Sequence, residues 1–167
     1  MSAVIAIAAL IAAIFFVYAR MKGAGQWPAA GRARGAPLRP RFGAKTEGSV
    51  IAAIEDPVAG AAVLMAAIAN ARSPIDDVTR TVIEEELRET TGVDPREVVD
   101  FAIQAVNQSP DPDNASLRLT RMLNTNLTSV ERQQLLDMVT RVANVQGKPT
   151  EVQAGAITRL KTRLDLA

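Results

Sequence analysis

The sequence contains neither cysteine nor histidine. Those absences exclude disulfides, thiolate and imidazole metal ligation, and any catalytic scheme built on Cys or His. Ser109 and Thr128 therefore have no imidazole base to activate them as nucleophiles. Also missing is any sustained apolar/polar alternation of period two, so no strand is expected and the fold class is all-α. No phosphate-binding loop is present either. Gly147-Lys148-Pro149-Thr150 carries the Gly-Lys pair but lacks the upstream glycine spacing and the preceding strand.

Acidic residues are absent from one long stretch. Arg20, Lys22, Arg32, Arg34, Arg39, Arg41 and Lys45 follow one another with no acid between them. With Glu47 counted, residues 1–47 sum to +6. The other twelve basic and seventeen acidic residues leave 48–167 at −5. A basic arm thus precedes a mildly acidic domain, and the acidic sign argues against nucleic acid as a partner.

The chain divides into three parts by composition. Residues 3–19, AVIAIAALIAAIFFVYA, form an uncharged apolar run, which at about 1.5 Å per residue barely spans a hydrocarbon core of roughly 30 Å. Phe15, Phe16 and Tyr18 sit at its end, before Arg20 and Lys22, as interfacial anchors do. A cleaved signal peptide is the competing reading, but no basic residue precedes the run. We read residues 1–22 as a single transmembrane anchor. The positive flank places the N-terminus outside and the remainder in the cytoplasm of a bacterial inner membrane. Residues 23–48 form a Gly/Pro/Arg-rich linker whose few large apolar groups include Trp27. Phe15, Phe16, Tyr18, Arg20, Lys22, Trp27, Arg32, Arg34, Arg39 and Arg41 are the expected membrane or partner contacts. Residues 49–167 are the folded domain.

Within that domain the helices announce themselves by caps and periodicity. Asp56-Pro57 starts a segment, PVAGAAVLMAAIANA, that is apolar nearly all round. It is too short to span a membrane, so a buried core helix is expected, with Gly60 and the alanines admitting close neighbours. After Ser73-Pro74 comes a helix with Val78, Val82, Ile83 and Leu87 on its apolar side. Glu84, Glu85 and Glu86 are expected on a solvated face, pointing about 100° apart and unable to converge. Asp94-Pro95 starts another helix, and SPDPDN, with Asp111 and Asp113, reads as a turn. A short helix through Leu117, Leu119, Met122 and Leu123 follows.

The sharpest stretch runs from Ser129 to Leu164. Thr128 and Glu131 form a capping box, with Leu127 placed as its hydrophobic staple. Gly147 and Pro149 separate two helices, the second lined by Val152, Ala156, Ile157, Leu160 and Leu164. Arg159, Lys161 and Arg163 suit the C-terminal dipole of that last helix. A shift of 74 residues lays an upstream hairpin on this one: Ala69-Asn70 falls on Ala143-Asn144, Asp77-Val78 on Glu151-Val152, and Ile83 on Ile157.

Leu127, Thr128, Glu131, Arg132, Leu135, Leu136, Val142, Ala143, Gly147, Glu151 and Ile157 carry a resemblance to the TerB-like (tellurite-resistance) helical family over about residues 50–166. An N-terminal membrane helix before such a domain resembles the front half of membrane-anchored DnaJ-like co-chaperones, here without a J-domain. The resemblance implies about six to seven helices with two pseudo-repeated hairpins. It also implies hairpin turns whose aspartates bind metal. Here those turn positions hold Arg72 and Gln146, leaving Asp76, Asp77 and Glu151 as weak metal candidates. The expected function is a non-enzymatic, membrane-tethered scaffold that docks on a protein partner or membrane complex, with no cofactor. The alternatives are a stable accessory subunit held by anchor and arm, and a metal-ion or tellurite stress-response binding module.

Overall fold

The structure, a computed structural model, describes residues 50–92, 94–109 and 111–166. The apolar run, the linker and the ten expected contacts from Phe15 to Arg41 lie outside the described residues. Within them the protein is all-helical: a 3₁₀ turn at Val50–Ala53 and six α-helices. These are α1 (Pro57–Asn70), α2 (Asp77–Thr91), α3 (Arg96–Gln108), α4 (Pro112–Asn126), α5 (Ser129–Asn144) and α6 (Glu151–Arg163).

Helix α1 is the hub. It packs against each of the other five helices, which explains why a helix of Val, Leu, Met, Ile and Ala needs no polar face. Every residue from Ala59 to Ala69 is buried. Val63, Leu64, Met65 and Ile68 each contribute about 1.5–3 kcal/mol by leaving water. The other helices form a ring around it: α3 neighbours α2, α2 neighbours α5, α5 neighbours α6, and α6 neighbours α4. Gly60 sets the distance to α4, since a Cβ there would lie 2.8 Å from Cε of Met122. Among the described residues no helix is long and apolar enough to cross a membrane.

Helix starts follow the Asx pattern closely. Asp56 accepts from the amide of Val58 at 2.9 Å and Asp111 from that of Asp113 at 2.9 Å, each with proline next in the chain. Asp94 accepts from the Arg96 amide at 3.2 Å in the same way, although Pro95 holds the formal cap position. Asp111 of the SPDPDN cluster is therefore a cap, and Pro112, Asp113 and Asn114 begin a 15-residue helix, longer than the short one expected. At α5 both halves of the capping box form. The staple does not. Its partner position is Arg132, so Leu127 is instead buried in the common core.

Three residues assigned to apolar faces stand in solvent: Val78 is 64% exposed, Leu117 64% and Val152 58%. In α2 and α6 the inward position of the first turn belongs to the next residue, Thr79 or Gln153, both buried. Helical rotation of about 100° per residue then turns the preceding valine outward. The glutamates also depart from expectation. Glu84 pairs with Arg80 at 3.0 Å, and Glu86 pairs with Arg141 of α5, so only Glu85 of the three is fully solvated. Arg159 and Arg163 likewise do more than face a helix dipole. Both reach Asp113 at the start of α4, Arg159 at 2.6 Å.

Candidate functional site at the hairpin turns

The 74-residue shift survives in the helix boundaries. Asn70 ends α1 and Asn144 ends α5; Asp77 opens α2 and Glu151 opens α6. The turns between them, residues 71–76 and 145–150, meet each other in space. Arg72 Nη1 donates to the carbonyl of Lys148 at 2.9 Å, and Ser73 Oγ donates to Gln146 Oε1 at 3.1 Å. In return Gln146 Nε2 donates to Asp76 Oδ2 at 2.9 Å and lies 3.4 Å from Thr79 Oγ1.

Between the turns lies a shallow open dimple of about 10 Å³, room for little more than a water molecule. Ala69 and Ala143, Arg72 and Gln146, and Thr79 and Gln153 line it as three pairs related by the same shift, together with Val142. The dimple thus sits on the pseudo-symmetry axis of the two hairpins. Gln153, 1% exposed, closes its floor. Its Nε2 donates to the carbonyl of Ile68 at 3.0 Å and its Oε1 accepts from the Thr150 amide at 3.0 Å. One amide side chain therefore caps α6 and satisfies a carbonyl of the hub helix across the hairpins.

The expected metal candidates are placed as follows. Asp76 caps α2, accepting from the Thr79 amide at 2.8 Å, and its second oxygen faces Gln146. Hydrogen bonds from Thr79, then that from Gln146, hold its carboxyl below the ordinary carboxylate range. Asp77 and Glu151 are exposed at the first positions of α2 and α6. Among the described residues no three acidic groups are placed to share a metal ion. Arg72, where the resembled family carries an aspartate, turns its guanidinium onto the opposite turn.

Arg72, Ser73, Asp76 and Gln146 bond across the two turns, so the arrangement joins the two hairpins. Gln153 and Thr79 are the residues that reasoning from sequence missed. A usable signal was there for Gln153: a glutamine three places after Thr150 is the reciprocal half of a capping box. Comparison of the chain with family models, curated proteins and solved structures yields no match.

Proposed function

We propose that this is a non-enzymatic, membrane-tethered protein whose TerB-like helical domain docks on a protein partner in or at the bacterial inner membrane. The observation that carries the reading is the pair Val78 and Val152. These side chains, 74 residues apart, occupy the same helical position beside the hairpin junction, and both are more than half exposed. A single exposed valine needs no explanation, but a matched pair flanking a polar dimple is the composition of a docking patch. The apolar run at residues 3–19 and the basic arm after it supply the tether in this reading. The TerB-like part of the reading rests on the motif residues from Leu127 to Ile157 and on the 74-residue repeat in the sequence.

Purification of the intact protein from native membranes tests the proposal. The expected result is one co-purifying membrane or membrane-associated protein, lost in Val78→Asp/Val152→Asp while the variant itself stays in the membrane fraction. Recovery of the protein alone, under detergent that keeps other complexes intact, overturns it.

A further inference from the structure

We infer that the α4 face of the domain rests against the anionic headgroups of the membrane, an orientation that builds on the tether reading above. Two observations point there. The first is where the chain enters the domain. Ile51 of the 3₁₀ turn and Ile54 just after it are buried, and the turn packs on α4. The polypeptide bearing the +6 arm and the apolar run therefore joins the domain at this helix.

The second is the distribution of charge around the hub. Asp76–Thr91 carries six acids and two arginines, and Asp94–Gln108 three acids and one arginine. The α2–α3 side thus holds −6, more than the whole domain's net charge. Of the remaining helices, α4 and α6 pack on each other, and neither is a main neighbour of α2 or α3. Residues 111–126 sum to zero and 147–166 to +2. Helical spacing gathers Leu117, Arg118 and Arg121 on one outward stripe of α4, and all three are exposed. Neither arginine has an acidic partner among the described residues; Arg118 bonds only to Asn114 of its own helix. A negatively charged bilayer repels the α2–α3 pole and attracts this stripe, with Leu117 the apolar group that enters the interface. The hairpin junction remains accessible to a protein partner.

The absence of cysteine lets a single fluorescent probe report on the full-length protein. Thr125→Cys places it on the same stripe and Glu85→Cys on α2, both exposed. The proteins are reconstituted in phosphatidylcholine vesicles, with or without about one-third phosphatidylglycerol, and quenched by spin-labelled lipid. Co-flotation with vesicles is scored first. In anionic vesicles quenching at position 125 is expected to exceed that at 85, the two arginines favouring this orientation by about thirtyfold at roughly 1 kcal/mol each. The excess is lost in neutral vesicles and in Arg118→Glu/Arg121→Glu. Failure to float overturns both the tether and the orientation. Flotation with equal quenching, with more quenching at 85, or with an excess indifferent to lipid charge overturns the orientation alone.

Discussion

Gln153 is the side chain on which the hairpin junction most depends. Its amide donates to Ile68 while its oxygen serves the α6 cap, so Gln153→Ala leaves a buried carbonyl unpaired and weakens a helix start. The expected cost is about 1–3 kcal/mol in chemical denaturation. Gln153→Glu separates the two roles. The introduced carboxylate keeps the cap but presents an oxygen to the Ile68 carbonyl, and burial favours its protonated form. That variant should therefore gain stability relative to wild type as pH falls, measured by melting temperature. Asp76 behaves in the opposite sense. Its folded-state pKa is depressed, so its contribution is present above the ordinary carboxylate range and is lost as pH falls through the lowered value. Asp76→Asn should flatten the acid limb of the same melting curve; an unchanged limb would show that the cap does not titrate with folding.

At the scale of the element, Gly60 tests how closely α4 approaches the hub. Gly60→Ala meets only the flexible tip of Met122, and alanine favours the helix by about 1 kcal/mol, so little net change in stability is expected. Gly60→Leu must also displace Leu119 and Leu123, at an expected cost of about 1–3 kcal/mol that Met122→Ala partly relieves. A double-mutant comparison of denaturation midpoints checks both statements. The same elements show what the sequence could and could not disclose. Caps, glycines and proline-led starts were legible because each is a local bargain between a side chain and a nearby backbone group. The buried α1 was legible from its want of a polar side. Val78, Val152 and Leu117 were misplaced because apolarity alone stood for inward direction. In α2 and α6 the first inward position is set by the neighbouring turn, which asks for a hydrogen-bonding group. The pairing of Glu86 with Arg141 and of Asp113 with Arg159 and Arg163 depends on helices 46 or more residues apart. No periodicity within one helix encodes that.

At the scale of the molecule, a hub surrounded by a ring has a thermodynamic consequence. The two hairpins could be independent folding units if each buried its own apolar surface. They do not, because α1 of the first hairpin contacts both α5 and α6 of the second, and Gln153 of the second satisfies Ile68 of the first. Removing the second hairpin would expose the side of α1 that α5 and α6 cover, at about 25 cal/mol for each Å² of apolar surface. The domain should therefore unfold as one cooperative unit. Hydrogen exchange read by mass spectrometry on the full-length protein makes this measurable. Amides of residues 60–69 should be the slowest, exchanging only through global opening, with interior amides of α5 close behind. The 3₁₀ turn at Val50–Ala53 and the last turn of α6 should exchange sooner, neither lying in the hub helix. Denaturant should bring the α1 and α5 peptides to one common opening free energy. Two separate values would mean that the hairpins fold apart and that the junction between their turns joins finished units.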